Sequence, residues 1–405
     1  MQRTLTIAAI VIVLIGGGVA AYFFFSTGTT VIDVAPAGNT VNLPVAGGIT
    51  HATSTEAGVS GTPVVNSGGS SPKIISSRLV RISAGPVVPG ETVVDKKAIN
   101  ASSSPEASVN FIERGSGNVF SYLINAKTLT RISNKTVPGI QSASWLPDGS
   151  AAFVRYLSGD NFSTINTYAL TATSSGGFFL PQNLADINVS PMGVLTLASG
   201  VNGSVVSLGR IDGTHFTTLF TTPLVSLRVS FAGKNQYLVY TKPSADLSGA
   251  AFLVDSTGRF SRIAVHNGLV ALASPLGKWV LVSYARNNTM QMELVNTATN
   301  ETLPLPIATI ADKCVWTADD SAIYCGIPMN PSLNFNYPDD WYQGAVQFSD
   351  RIWKIEVPGR YAKLVLDFSK ETKGSIDIES PATDSADTAL VFINKNDGSL
   401  WSYSF

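Results

Sequence analysis

The sequence predicts an all-β protein, a seven-bladed β-propeller that is preceded by one transmembrane helix and a disordered linker. Three observations support this prediction. A turn pattern recurs at intervals of about 40–45 residues along most of the chain. Two segments, one beginning at residue 111 and the other ending the chain, align with each other without a gap. The N-terminal segment is almost uncharged and continuously apolar, unlike the rest of the sequence.

The N-terminal segment has one charged side chain, Arg3, and none from Thr4 to Phe25. As a helix, these residues would extend about 33 Å, enough to span the hydrocarbon core of a bilayer. We therefore predict a membrane anchor over residues 1–25, with its helix at about 4–25. A cleaved signal peptide is the alternative, because Val19-Ala20-Ala21 has the small residues of a cleavage site. Arg3 is expected to stay cytoplasmic, which makes the chain a single-pass protein whose remainder lies at the cell surface or in the periplasm.

Residues 26–74 are rich in Gly, Ser, Thr and Pro, and they have almost no charge and no sustained apolar period. Such a composition buries too little apolar surface to fold, so we predict a flexible linker that acts as a spacer. A flexible chain of about 50 residues has a root-mean-square reach of about 40 Å.

The propeller is predicted over residues 75–405, where short β-type runs are separated by turn residues. The most complete turn is Trp145-Leu146-Pro147-Asp148-Gly149, which leads into the run AAFVRY. Related turns precede apolar runs at 190–193, 230–233, 274–277, 317–320 and 380–383. A unit of about 40–45 residues with four strands is typical of a propeller blade, in which this turn joins the two inner strands.

The two matching segments are FIERGSGNVFSYLI (111–124) and FINKNDGSLWSYSF (392–405), each predicted to be a hairpin with a Gly-containing turn. The first hairpin is followed by TLTRIS (128–133), but the chain stops after the second one. A strand of the same kind, RLVRIS (78–83), stands near the start with no strand before it. We therefore predict that residues 77–83 pair antiparallel with 399–405 and close the ring, which removes an open edge.

Counting in this way predicts seven units. They are 87–133, 138–181, 184–221, 225–265, 268–305, 308–368, and 375–405 completed by 77–83. Six or eight blades would result if the segments 85–107 or 326–350 were counted differently.

The Trp-x-Pro-Asp-Gly turn at 145–149 and the apolar strand after it resemble the TolB-type and WD-repeat-like β-propellers. The resemblance covers about 330 residues, and only this one copy of the motif is complete. It implies a binding platform exposed in the periplasm or envelope. With the anchor and linker, the chain is similar to membrane-anchored envelope proteins of small-genome bacteria, a likeness that implies no particular activity.

Composition excludes several classes of function. The net charge of −1 gives no basic field, so no nucleic-acid partner is expected. Three histidines and two cysteines provide almost no material for a zinc site, and we expect neither a metal nor a cofactor. The acid pairs Asp319-Asp320 and Asp339-Asp340 lack the spacing of a calcium loop and are interpreted as turn-capping residues.

No catalytic set is recognisable. The chain has no Gly-x-Ser-x-Gly elbow, and its histidines, His51, His215 and His266, are far apart in sequence. The Ser-x-Asp-x-Gly-x-x-Trp turn of glycosidase propellers is also absent. We therefore predict that the protein is not an enzyme, the alternative being an enzyme with an unrecognised active site on the propeller face.

The two cysteines are predicted to form a disulfide. If Asp319 and Asp320 form the tip of a two-residue hairpin, Cys314 and Cys325 face each other across an antiparallel pair. The Cα separation in such a pair is about 4.5–5.5 Å, within the range of disulfides, and an oxidising compartment would allow the bond. Two buried thiols are the alternative.

An insertion over residues 330–350 enlarges the sixth unit and provides the candidate binding site. Its segment YPDDWY places aromatic and acidic side chains together, and such groups can stack on sugars or hold cationic peptide groups. The candidate residues are Tyr337, Asp339, Asp340, Trp341 and Tyr342. We expect Trp341 and Tyr342 to be exposed beside the two acids; the alternative is that the aromatic side chains cover the end of a blade.

These observations together predict a membrane-anchored, extracytoplasmic binding or scaffold module of the cell envelope. Its membrane contact is the N-terminal helix, and its partner is a protein or a glycan.

Overall fold

The computed structural model describes residues 71–96, 106–133, 137, 139–172 and 176–405. In these residues, 29 strands form seven antiparallel sheets. No helix within the described ranges is both long and apolar enough to cross a membrane. The predicted transmembrane helix and nearly all of the predicted linker lie outside the described residues.

The first two strands are β1 (Lys73–Ile74) and β2 (Leu79–Arg81). Blade 1 consists of β3 (Thr92–Lys96), β4 (Glu106–Ile112), β5 (Val119–Leu123) and β6 (Thr128–Ser133). Blade 2 consists of β7 (Ile140–Trp145), β8 (Ala151–Ser158), β9 (Thr164–Thr171) and β10 (Gly177–Phe179). Blade 3 consists of β11 (Leu184–Ser190), β12 (Gly193–Gly200), β13 (Gly203–Gly209) and β14 (Thr217–Thr222). Blade 4 consists of β15 (Leu227–Phe231), β16 (Gln236–Thr241), β17 (Ser248–Asp255) and β18 (Phe260–Asn267).

Blade 5 consists of β19 (Val270–Ala273), β20 (Trp279–Arg286), β21 (Thr289–Asn296) and β22 (Thr302–Pro304). Blade 6 consists of β23 (Cys314–Trp316), β24 (Ala322–Pro328), β25 (Asp350–Glu356) and β26 (Tyr361–Asp367). Blade 7 consists of β27 (Ile378–Thr383), β28 (Ala389–Asn394) and β29 (Ser399–Ser404), with β2 beside β29 and β1 outside β2. Within the described ranges the helical pieces are short: α1 (Asp339–Tyr342) and three 3₁₀ turns at Asp160–Phe162, Ala311–Lys313 and Phe368–Lys370.

The seven sheets form a ring in which their first strands are neighbours. The backbone N–H of Val229 donates to Asp186 at 3.0 Å, and that of Phe231 donates to Asn188 at 3.4 Å, so β11 and β15 run side by side in the same direction. First strands also contact each other between blades 6 and 7 and between blades 7 and 1. The predicted all-β, seven-bladed propeller is therefore confirmed.

The second strands of the blades are largely buried, apolar runs because neighbouring blades cover both faces of each sheet. In β20, for example, Val280, Leu281 and Val282 are three successive residues with no exposed surface. The fourth strands β6 and β18 are more exposed and alternate apolar with polar residues. The segments TLTRIS (128–133) and RFSRIA (259–264) resemble each other because both occupy the outer position of a blade.

The turn at 145–149 shows why its residue types recur. The Asp148 carboxylate accepts hydrogen bonds from the backbone N–H and the hydroxyl of Ser150, at 3.0 and 2.7 Å. Gly149 has a φ of 69°, and a Cβ there would lie 2.5 Å from the Asn110 side chain of blade 1. The turn thus needs an acid to order its backbone and a glycine to let the blades approach.

The strand β2 lies antiparallel to β29, with Leu79 opposite Tyr403 and Arg81 opposite Trp401. The pairing continues past the strand, because the N–H of Ile82 donates to the carbonyl of Leu400 at 2.8 Å. The sheet also includes β1, so ordered structure begins at least two residues before the predicted boundary at residue 75.

The hairpins that join the second and third strands lie on one side of the ring. In an antiparallel sheet, this hairpin lies at the end where the first strand begins, and the equivalent strands of the seven blades share a direction. We call this side the hairpin face and define it by the seven hairpins, which are residues 113–118, 159–163, 201–202, 242–247, 287–288, 329–349 and 395–398.

Candidate functional site

The longest connection on the hairpin face is residues 329–349, which we call the strap. It joins the second and third strands of blade 6 and contains α1. The strap extends over its neighbours, because the carboxylate of Asp339 accepts the N–H of Ala245 in blade 4 at 3.1 Å. The amide of Asn288 in blade 5 donates to the carbonyl of Leu333 at 3.1 Å. The predicted site residues are therefore held across several blades.

Trp341 is buried, with 1% of its surface exposed. The prediction that Trp341 and Tyr342 are exposed together is therefore wrong for Trp341. The physical reason is a buried acid beneath the strap. The indole N–H of Trp341 donates to both carboxylate oxygens of Asp377, each at 3.1 Å. The backbone N–H of Phe348 donates to the same carboxylate at 3.0 Å. Tyr337 is buried as well, with 2% exposed.

A lysine that the sequence did not single out balances this acid. Lys313 is fully buried, and its ammonium group forms ion pairs with Asp377 and with Asp350, the latter at 2.8 Å. The ammonium also lies 5.0 Å from the ring centroids of Trp341 and Phe348. Burial raises the pKa of Asp350 to about 6, an effect that the Lys313 charge opposes and the Asp377 charge increases. Only Asp377 is a lone charge between apolar residues, whereas Lys313 and Asp350 each adjoin an oppositely charged residue, so the sequence pattern did not indicate this cluster.

Tyr342 joins a second polar network. Its hydroxyl donates to the carboxylate of Asp312 at 2.7 Å, and the guanidinium of Arg228 contacts the same oxygen at 2.8 Å. The guanidinium lies 5.4 Å from the centroid of the Tyr342 ring, and the Tyr240 hydroxyl accepts from it at 3.4 Å. Burial raises the pKa of Tyr342 well above its ordinary value, and the Asp312 charge adds to the rise. Half-buried Tyr342 thus connects the strap to blades 4 and 6.

The two acids of the strap are half-buried and bind backbone N–H groups. Asp340 accepts the N–H of Asn336 at 2.7 Å, and Asp339 accepts that of Ala245. These bonds stabilise the strap itself, and the five predicted residues do not form one exposed patch.

Glu91 is an unusual buried acid where blades 7, 1 and 2 meet. Its side chain is 8% exposed overall, and no described group completes a hydrogen bond of normal geometry to either carboxyl oxygen. Burial raises the pKa of Glu91 to about 8, and the nearby Glu379 charge adds to this, while backbone N–H groups of Glu91 and Gly90 oppose it. Gly90, with a φ of 98°, allows the close approach to blade 2, since a Cβ there would lie 1.9 Å from the carbonyl oxygen of Ala143.

The histidines within the described part of the chain do not meet. His266 stacks on Tyr284 with ring centroids 3.9 Å apart, and its Nε2 lies 3.3 Å from Glu293 at the junction of blades 4 and 5. His215 contacts Thr214 instead. Among the described residues, no three His, Cys, Asp or Glu side chains are grouped so as to hold a metal ion.

The cysteines face each other across the first hairpin of blade 6. Cys314 pairs with Cys325 between β23 and β24, and the structure contains a disulfide between them with a Cα separation of 4.1 Å. In the turn, Asp319 accepts the N–H of Ser321 at 2.9 Å, in agreement with a turn-capping role. Asp320 instead accepts the Ser274 hydroxyl at 2.7 Å and links blade 6 to blade 5.

The hairpin face also carries exposed apolar side chains that sequence reasoning missed. Four residues at hairpin tips are the most exposed large apolar side chains of the described chain. They are Phe162 (72%), Val201 (93%), Leu247 (70%) and Leu333 (60%), in blades 2, 3, 4 and 6 respectively. The available signal was a single apolar residue within each polar turn segment.

Comparison with known proteins gives a likeness at the level of the fold. No family model matches the sequence, and no curated protein matches it. An oligogalacturonate lyase in complex with manganese is 9% identical and has a TM-score of 0.48, with 78% of this chain and 98% of that chain covered. The β-propeller domain of the Trilobed protease from Pyrococcus furiosus is 9% identical with a TM-score of 0.45, covering 83% and 92%.

Kuenenia stuttgartiensis hydrazine synthase is 11% identical with a TM-score of 0.49, covering 74% of this chain and 92% of that chain. At such identities a likeness concerns the fold alone, and it indicates neither a reaction nor a ligand for this protein.

Proposed function

We propose that this protein is a binding or scaffold module, with no catalytic role, whose partner docks on the hairpin face. The observation that carries the proposal is the concentration of Phe162, Val201, Leu247 and Leu333 on that face. Single exposed apolar residues are common on protein surfaces, whereas several on one side of a molecule are a feature of interaction sites. Turn tips are ordinarily polar, so four apolar tips on one face need a reason beyond folding.

The opposite side of the ring supports this choice by contrast. Its most exposed large apolar residues include Tyr361 (57%) and Leu276 (52%), which are less exposed than the four tips. The strap adds a rigid rim, because its Trp341 and Tyr342 side chains are fixed by Asp377 and Asp312. A rigid surface loses little entropy when a partner binds.

We further propose that the module works outside the cytoplasm and is anchored by residues 4–25. The uncharged run from Thr4 to Phe25 supports the anchor. The disulfide between Cys314 and Cys325 supports an oxidising compartment, since such bonds are rare in the cytosol. The turn at 145–149, which resembles that of TolB-type propellers, agrees with an envelope protein.

We also propose that β2 closes the ring. Support comes from its place as the outer partner of β29 and from the packing of Leu79 and Val80, which are 0% and 3% exposed. Without β2, the outer edge of β29 would present unpaired backbone groups to solvent.

Site-specific photocrosslinking tests the binding face. A benzophenone side chain is placed at Phe162 or Leu247 in the full-length chain, and at Leu276 or Tyr361, which are also exposed but lie on the other side, as controls. We expect a discrete protein adduct in cells from the hairpin-face positions only. Adducts from the control positions alone, or none from Phe162 and Leu247, would contradict the proposal.

A further inference from the structure

The hairpins that carry or adjoin the apolar tips also carry uncompensated charge. In blades 2 to 6 these hairpins and the residues that directly flank them contain five acids and two bases. The acids are Asp160, Asp246, Asp339, Asp340 and Asp350, and the bases are Lys242 and Arg286. Asp350 is buried and pairs with Lys313, whereas none of the other six forms an ion pair with another described residue. We call the four exposed tips, Phe162, Val201, Leu247 and Leu333, the apolar arc; within these five hairpins acids outnumber bases.

The acids lie beside the tips themselves. Asp160 is two residues before Phe162, and Asp246 directly precedes Leu247; all four residues are exposed. A partner whose apolar side chains cover Phe162 and Leu247 must bring its neighbouring groups close to these carboxylates. Charges closer together than the Debye length of about 8–10 Å are only partly screened, so the charge of the partner's groups next to these carboxylates affects which partner binds.

We propose that the apolar arc of the hairpin face binds a segment of a partner protein that combines apolar with basic side chains. The inference rests on the proposed function and specifies the chemistry of its partner. A bilayer fits less well, because the anionic surface of a membrane attracts basic clusters, whereas the charge beside these tips is acidic. Lys242 belongs to the same hairpin as Leu247, and Arg286 flanks the hairpin of blade 5, so the partner segment can also carry some acidic groups.

Three synthetic peptides of equal length test the proposal with the purified full-length chain, binding being measured by fluorescence anisotropy. One contains Leu and Lys, the second Leu and Glu, and the third Ser and Lys. We expect the Leu/Lys peptide to bind about tenfold more tightly than either of the others. Its binding should weaken with rising salt, because exposed charges are screened.

Matched variants show whether the arc is responsible. The double change Phe162→Ser with Leu247→Ser is expected to weaken binding of the Leu/Lys peptide about tenfold. The double change Asp160→Asn with Asp246→Asn should weaken it about threefold and reduce its salt dependence. Leu276→Ser, on the opposite side, should have no effect. Since all five positions are exposed, the variants are expected to fold.

Three results would overturn the inference. The first is equal binding of the Leu/Glu and Leu/Lys peptides, and the second is peptide binding that is unchanged by the tip substitutions. The third is tip-dependent binding of phosphatidylcholine vesicles without tip-dependent binding of any peptide, which would identify a lipid surface as the occupant. Photocrosslinking from Phe162 is independent of these probes, so a protein adduct with no peptide preference would refute the basic partner and leave the proposed function intact.

Discussion

At the scale of single residues, Glu91 links burial to pH dependence. The pKa of the Glu91 carboxyl is about 8 in the folded chain, compared with 4.5 for the ordinary side chain. Between these two pH values the carboxyl is therefore protonated in the folded state and ionised in the unfolded state. Stability must therefore fall as the pH rises from about 4.5 to 8, by at most about 1.4 kcal/mol per pH unit.

Glu91→Gln removes this group, and we expect it to stabilise the protein at pH 8 more than at pH 5. Urea denaturation at both pH values measures this, with Glu301→Gln, at an exposed acid, as control; the same pH dependence in the Glu91→Gln and Glu301→Gln variants would contradict the assignment.

Trp341 contributes to stability because its indole is buried and bonded to Asp377. A surface Trp could be replaced at little cost, but Trp341 is buried and donates to Asp377 beside Lys313. We expect Trp341→Ala to lower the free energy of unfolding by about 3–5 kcal/mol, as for other buried aromatic residues. Tyr342→Phe, which removes one hydroxyl, should cost about 1–2 kcal/mol. Urea denaturation compares the two, and a cost below 1 kcal/mol for Trp341→Ala would place the indole at the surface after all.

At the scale of elements, the hairpin of β23 and β24 carries the disulfide. The loop that it closes is short, so the stabilisation expected from Cys314–Cys325 is near the lower end of about 2–4 kcal/mol. Protein extracted without reductant, unfolded in urea and treated with an alkylating agent should show no added mass by mass spectrometry. Reduction followed by alkylation gives the positive control. Two alkylated thiols in the unreduced protein would show that the bond is absent in cells.

At the scale of the whole molecule, the ring is expected to depend on β2, which is far from β29 in sequence. Removing residues 75–84 should expose the edge of β29 and cause aggregation or a lower unfolding temperature. A milder change, Leu79→Ser, places a polar group at a fully buried position and should cost about 2–4 kcal/mol. Ile74→Ser, at a residue 57% exposed in the adjoining β1, is the matched control. If the deleted form is as stable and monomeric as the full chain, β2 does not close the ring.

The sequence by itself determined the fold class and the number of blades. The reason is that strands, turns and the alternation of residues are local properties that repeat at a fixed interval. The turn at 145–149 was recognisable because its Pro, Asp and Gly residues suit the backbone of the turn, and the hairpin at 111–124 because Gly117 can adopt the positive φ of its turn. The opposition of Cys314 and Cys325 also followed from local counting along one hairpin.

The tertiary structure alone decided which side chains are buried and which are exposed on the hairpin face. Trp341 is buried because Asp377, a residue of another blade, and Lys313 lie beneath it. Asp377 and Lys313 lie outside the strap, so the sequence of the strap alone could not predict these contacts. The ring brings separate hairpins to one side, and only this arrangement places Phe162, Val201 and Leu247 on the same face. Contacts between blades join residues distant in sequence, so they depend on packing rather than on any local pattern.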